Sequence, residues 1–168
     1  MNADELKSVQ TPLKESYRVD PSKALITLRA TGRALAGVSC KVETGKGLVE
    51  AGLHPATGGD GTLACSGDML LEALVACAGV TLGAVATAIG IDVRDAVVTA
   101  EGDLDFRGTL GVSKDAMVGF TRIRLRFALD TNASDDEKAT LIRLTERYCV
   151  VLRTLREPPE ITVGQAAV

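Results

Sequence analysis

The chain has 168 residues, 46% hydrophobic and 24% charged, with a formal net charge of −3. That is long enough for one domain with its own core, and the composition excludes a disordered, fibrous or disulfide-dense protein. Mild acidity excludes a general attraction for nucleic acid or anionic lipid, and the 3% of aromatic residues, none of them Trp, requires an aliphatic core.

Residues 1–22 read as a polar leader to a single domain spanning 1–168, with a short helix broken at Pro12. The leader holds no apolar run of the kind that directs export, which predicts a cytoplasmic protein. Structural disulfides are uncommon there. Cysteines 40, 65, 77 and 149 show no C-x-x-C spacing, which argues against tetrahedral zinc, and no cofactor is expected.

KALITLRAT (23–31) alternates as a strand, and so does GVSCKVE (37–43), where Val38, Cys40 and Val42 share a face. Cys40 therefore reads as a small core hydrophobe. GLVEAGL (47–53) is a third strand candidate, and HPATGGDG (54–61) is a loop by its Pro and Gly content. A helix is expected from about Ser66 to Gly90, with Ser66 as N-cap and Asp68 in the first turn, where the helix dipole favours a negative charge.

From Ala73 to Ile91 this helix carries no charge, a length that touches the transmembrane threshold. Most of the residues are Ala, Gly, Thr or Cys, the neighbours are alternating strands, and no Lys or Arg closely flanks either end. The better expectation is a central helix buried on every side, under sheet that includes strands of a partner subunit. Gly79 and Gly83 would let another helix approach that face.

VRDAVVTAEGDLDF (93–106) and VGFTRIRLRFALD (118–130) form a predicted antiparallel pair, with Ile123, Leu125, Phe127 and Leu129 inward. The outward Arg122, Arg124 and Arg126 resemble a nucleic-acid stripe until the first strand is set beside them. Pairing 101 with 126, 103 with 124 and 105 with 122 would neutralise all three with Glu101, Asp103 and Asp105. Ser134-Asp-Asp-Glu137 is a capping box, opening a helix whose stripe is Leu141, Ile142, Thr145, Tyr148, Cys149 and Leu152. Pro158 and Pro159 end it, and EITV (160–163) is a candidate last strand.

Cys77 and Cys149 thus face inward on two separate helices. Residue patterns alone leave two readings open, a pair of buried core cysteines and a thiol active site. Cys65, just before the first helix, is either incidental or a second resolving thiol. His54 lies in the Pro/Gly loop with no acidic orienter in sequence reach, which weighs against a Cys–His hydrolase.

The segment GDMLLEALVACAGVTL resembles the central-helix motif of the OsmC/Ohr family, thiol-dependent hydroperoxide reductases related to the osmotically inducible protein C. TERYCVVLRTL resembles that family's second-cysteine motif, and the order of strands over residues 23–163 follows the family. The resemblance implies an α+β fold, an intertwined homodimer in which two antiparallel sheets wrap long central helices. It implies Cys77 as the peroxidatic thiol and Cys149 as the resolving thiol, with an organic hydroperoxide as substrate and an external dithiol as reductant. The family's carboxylate maps to Asp68, an Asp where Glu is usual. Its T-G-G-R arginine maps to Arg33 in ATGR (30–33), with Arg29 as the alternative. Val150 stands where the family has Pro after the second Cys.

Cys77 lies about three turns inside its helix, beyond reach of that helix's own N-terminal dipole. On that reasoning an Arg is needed to hold the thiolate. Lowering a thiol pKa from about 8.5 to about 6.5 raises the thiolate fraction at pH 7 roughly 25-fold. Lost nucleophilicity returns about 8-fold of that if peroxide attack follows the thiol-exchange trend. The remaining acceleration must come from orienting the peroxide and stabilising the departing oxygen. Two rivals share the fold: a non-catalytic dimer that binds a small ligand, and a redox sensor in which the same disulfide changes conformation without turnover.

Overall fold

The computed structural model describes residues 2, 4, 5, 8, 11, 19, 31–34, 39–44, 47–111 and 113–166; within 31–48 it describes the backbone only. Pro12, Arg29 and nearly all of the KALITLRAT segment lie outside the described residues. The first four strands are β1 (Thr31–Ala34), β2 (Ser39–Thr44), β3 (Gly47–Gly52) and β4 (Ala64–Cys65). They form one sheet in chain order, antiparallel except for the short parallel β3–β4 pairing. ATGR falls largely inside β1, where Arg33 lies opposite Lys41.

The long helix α1 (Ser66–Ile89) follows β4 directly. Its N-cap is Cys65, which makes no side-chain capping bond, so Ser66 is the first helical residue rather than the cap. Strand β4 runs straight into the helix and puts Cys65, not Ser66, in the extended backbone that a cap requires. Asp68 does fall in the first turn. Gly90 ends the helix at φ 76°, a left-handed cap whose N–H bonds to the Ala86 carbonyl.

β5 (Val93–Leu104) and β6 (Phe120–Thr131) form an antiparallel pair, joined through a one-turn helix, α2 (Phe106–Thr109). The faces are as the alternation predicts: Ile123, Leu125, Phe127 and Leu129 pack on the α1 side. The register differs by two residues from the charge-matched one, with Thr99 opposite Arg126, Glu101 opposite Arg124 and Asp103 opposite Arg122. An even slip keeps every side chain on its face. Arg124 therefore binds two carboxylates, Glu101 at 3.1 Å and Asp103 at 2.5 Å, while Asp105 turns back to Arg107 at 2.6 Å and caps α2. Gly102 matters here: a Cβ on it would stand 2.4 Å from the Phe120 ring, which occupies the space a side chain would need.

The capping box at Ser134 is formed in both directions and opens α3 (Asp135–Tyr148). The helical region then breaks at Cys149 and restarts as α4 (Val150–Arg156). Sequence periodicity had carried one helix through this point. Leu141, Thr145, Cys149 and Leu152 are buried as expected, but Tyr148 is exposed and lies under the Arg147 guanidinium, 5.4 Å from its ring centre. EITV forms no strand in this chain, and Ile161 and Val163 are exposed. After Pro158 and Pro159 the segment pairs with none of the described strands.

The core has two parts along α1. Leu74 and Ala78 pack with Cys149 and Leu152, and Leu82 and Ala86 pack with Leu141. Among the described residues, Leu74, Ala78, Leu82 and Ala86 are the part of α1 that is buried. Ala73, Ala76 and Gly83 are exposed, and Val80 is 76% exposed, so the expected all-round burial is not met within one subunit.

Replacing Ser134 by Ala removes the acceptor for the Glu137 N–H and should cost about 1 kcal/mol, about 3 °C in the thermal midpoint. Thermal unfolding followed by circular dichroism checks this; an unchanged midpoint would mean that the box adds nothing to α3.

Candidate functional site

The first part of the core is also where the two thiols meet. Cys149 is fully buried, Cys77 is half-buried, and both belong to one cluster with Leu74, Ala78 and Leu152. On α1, Cys77 is three residues from Leu74, so it borders the buried stripe and retains some solvent access. Ala78 has little side-chain bulk to hold the neighbouring helices away.

The break at Cys149 gives the site its electrostatics. The first N–H groups of a helix have no carbonyl partner within it. In α4 the Cys149 carbonyl accepts from Arg153 at 2.9 Å, which leaves the amides of Val150 and Val151 free to donate elsewhere. They are directed to the Cys77 sulfur. Burial pushes the Cys77 thiol pKa up, but the amides of Val151 and Val150, the Cys149 thiol and Thr81 together outweigh it, and Cys77 ends below the ordinary thiol value. Thr81 has only one hydroxyl proton, which at rest goes to the Cys77 carbonyl at 2.7 Å, so the amides are the steadier donors.

Cys149 shifts the other way. Burial raises its pKa and outweighs the Leu152 amide, and a negative Cys77 sulfur nearby, which needs the Cys149 proton, raises it further. The pair therefore has an internal division: Cys77 is the readier of the two to ionise and Cys149 the readier to keep its proton.

Sequence reasoning sought the activating positive charge in an arginine and missed this helix terminus. The available signal was the family's Pro after the second Cys, because Pro is favoured as the first residue of a helix. Val150 occupies that first position and, unlike Pro, brings an N–H.

The predicted charged groups are placed less closely. Asp68 precedes Cys77 by nine residues, about two and a half turns and about 13 Å along the axis, so the two project from opposite sides of α1. Asp68 lines a shallow surface hollow with Leu71, Glu72, Val75, Ala76 and Ala100. Arg33 is placed by its backbone in β1, and its side chain lies outside the described residues, as does all of Arg29. Cys40 has only its backbone described, in β2 opposite Ala51.

Cys65 caps α1 near Gly67 and is a free thiol outside the Cys77 cluster. His54 accepts the Ala56 N–H through Nδ1 at 3.0 Å and stacks on Phe106, a structural role within its loop. Among the described residues, no group of three or more His, Cys, Asp or Glu could hold a metal ion.

Beside the thiols, α1, β6, α3 and α4 enclose a cavity of about 330 Å³. Its inner wall is Leu74, Ile123, Leu125, Phe127, Leu152 and Leu155, with Arg122, Glu146 and Arg156 also lining it. It shares Leu74 and Leu152 with the thiol cluster, although neither sulfur lines it.

A family model described as OsmC-like protein matches residues 59–164. Solved structures share the fold. An OsmC-like protein from Mycoplasma pneumoniae superposes with a TM-score of 0.67 at 17% identity, over 79% of this chain and 89% of that one. An organic hydroperoxide resistance protein from Elizabethkingia anophelis gives 0.64 at 19% identity, over 80% and 91%. One from Legionella pneumophila, described as an organic hydroperoxide resistance protein OsmC, gives 0.61 at 21% identity, over 79% and 91%. No curated protein shows significant similarity to the chain.

The opposed shifts can be read directly. Below the ordinary thiol pKa of about 8.5, iodoacetamide should modify Cys77 while Cys149 stays unreacted. Val150→Pro deletes one amide donor and should move the Cys77 alkylation profile up by about half to one pH unit. A profile that does not move would show that the Val150 amide leaves the thiolate unaided.

Proposed function

Because this chain belongs to the OsmC family, we propose that it is a cytoplasmic, thiol-dependent peroxidase that reduces organic hydroperoxides through Cys77 and Cys149. The observation that carries the proposal is the pairing of the two cysteines in one cluster with opposite pKa shifts. Two merely structural core cysteines would both be expected to shift upward, since burial disfavours a thiolate.

The steps follow from that division of roles. The Cys77 thiolate attacks the terminal oxygen of the hydroperoxide, the O–O bond breaks, and the departing alkoxide takes a proton to become the alcohol. Cys77 is then a sulfenic acid. The Cys149 sulfur displaces its hydroxyl, a disulfide forms, and the hydroxyl with the Cys149 proton leaves as water. An external dithiol returns both cysteines to thiols and is itself oxidised to a disulfide. The aliphatic part of the cavity wall, Leu74, Ile123, Leu125, Leu152 and Leu155, suits the alkyl part of an organic hydroperoxide better than hydrogen peroxide.

Two further parts of the reading concern assembly. The small-residue stripe of Ala73, Ala76, Val80 and Gly83 that one chain leaves open is, in this proposal, covered by a second copy. Asp68 cannot reach Cys77 around its own helix, so its proposed role, orienting the Arg33 guanidinium toward the peroxide, is filled from the second copy.

Cys77→Ser should abolish consumption of cumene hydroperoxide. Cys149→Ser should allow a single turnover and leave a sulfenic acid that over-oxidises with excess peroxide. Cys65→Ser should stay active. Intact-mass measurement after one equivalent of oxidant reads all three, and a fully active Cys77→Ser protein would sink the peroxidase reading.

Assembly has its own test. A Cβ at Gly83 meets nothing within 4 Å in the single chain, so Gly83→Leu should be tolerated in a monomer and should disrupt a dimer built on this face. Sedimentation decides. Co-expressing Cys77→Ser with Asp68→Ala should regain about a quarter of wild-type sites if Asp68 acts across subunits, and none if it acts within one, by symmetry of the two-fold pair.

A further inference from the structure

Around the elbow between α3 and α4, Arg143, Arg147, Arg153 and Arg156 line one open groove of about 470 Å³, with Glu146 the only carboxylate among them. In a chain of net charge −3 this runs against the overall balance. Arg156 is paired with Glu146 at 2.9 Å and Arg153 with Glu157 at 2.5 Å. Arg143 and Arg147 have no carboxylate partner among the described residues, although they stand i,i+4 on one helix face, where like charges repel. Capping of α3 is served by Ser134 and Glu137 at its other end.

Position supplies the second observation. The groove straddles the helix break, so it flanks Cys149 on both sides of the chain. At that break Tyr148 and Val150 are 56% and 69% exposed, and Arg147 lies over the Tyr148 ring. An exposed Tyr under an arginine, with an exposed Val two residues on, has the composition favoured at protein interfaces.

We propose that this elbow docks the electron donor, an acidic protein carrying the reducing dithiol, which the arginines draw to the Cys77–Cys149 disulfide. The inference rests on the peroxidase reading for the existence of that disulfide. Reduction needs two electrons. One donor thiolate attacks a sulfur of the disulfide and expels the other as a thiolate. The second donor thiol then attacks the mixed disulfide, and the donor leaves oxidised while both cysteines take up protons. Held at the elbow, a donor makes the first attack at high local concentration. Its acidic face also raises the encounter rate with a positive groove.

The test uses the full chain oxidised to its disulfide with diamide. It is then reduced by mercaptoethanesulfonate, mercaptoethanol or cysteamine, with rates normalised to thiolate. At low salt the anionic thiol should act about fourfold faster than the neutral one, for a net excess of two positive charges, four arginines less Glu146 and Glu157, about 8 Å away. Cysteamine should be slowest, and about 0.5 M salt should erase the order. Arg143→Glu with Arg147→Glu should reverse it. The milder Arg143→Gln with Arg147→Gln should erase it, so the outcome does not hang on one variant.

Poly-L-glutamate, and not poly-L-lysine, should slow reduction of the wild type at low salt by covering the groove, and should leave the Glu variant unaffected. Absence of the charge order in the wild type overturns the proposal. A charge order without a block by poly-L-glutamate also overturns it, in favour of a small anionic thiol. Peroxide turnover with dithiothreitol is scored separately: its absence defeats the peroxidase reading, whereas the reduction series still reports on the groove.

Discussion

The structure depends on one packing contact, Leu74 and Ala78 of α1 against Cys149 and Leu152 at the junction of α3 and α4. Full burial of these side chains supplies on the order of 2 kcal/mol for each large one. The contact also fixes the chemistry, because Cys77 is next to Ala78 in sequence and half a buried face away in space. A larger residue at 78 would hold α4 off and take its free amides away from the sulfur. Core packing and thiol activation are therefore the same arrangement seen from two sides.

That arrangement lowers the Cys77 thiol pKa from the α4 side, through the amides of Val151 and Val150. Placing a cysteine deep in α1 removes it from the dipole of its own helix, which the sequence position made plain. What position could not show was a second helix starting again at Cys149 with Val150 and Val151 pointing back. On the peroxidase reading, the modest net gain from a lowered pKa leaves most of the rate to be supplied at the peroxide itself. In that reading the Arg33 guanidinium has the further task of orienting the O–O bond.

Where the sequence was legible, a strong periodic signal stood behind it. Alternation gave both faces of β5 and β6, the capping box located the start of α3, and Gly90 closed α1. Register was not legible. A period of two is unchanged by a slip of two, so charge matching alone could not separate Glu101 opposite Arg126 from Glu101 opposite Arg124. The choice was made by the connection through α2 and by the Phe120 ring lying over Gly102. The break at Cys149 was hidden for a similar reason. Apolar residues keep helical spacing straight through it, from Thr145 to Cys149 to Leu152, so the pattern reads as one helix. EITV shows the opposite limit: its alternation is strand-like, but a strand needs an edge to pair with, and alternation says nothing about where that edge is.

The uncovered side of α1 is the remaining constraint, and its chemistry discriminates between coverings. By length and hydropathy the helix is apolar enough to cross a membrane. Yet the stripe it leaves open is Ala73, Ala76, Val80 and Gly83, mostly small residues that offer lipid little area and let another protein surface come close. Asp68 and Glu72 are exposed near the start of the same helix, and charged groups at that depth would be costly against hydrocarbon. The opposite stripe is already spent on β5, β6, α3 and α4, so insertion into a bilayer would require giving up the core. A second copy asks for none of this. It brings small residues against small residues, keeps the carboxylates at the margin where water or an arginine can meet them, and leaves the Leu74–Cys149 contact intact. On the proposed reading, covering α1 and completing the charged part of the site are then one event, which would make activity depend on protein concentration near the dimer's dissociation constant.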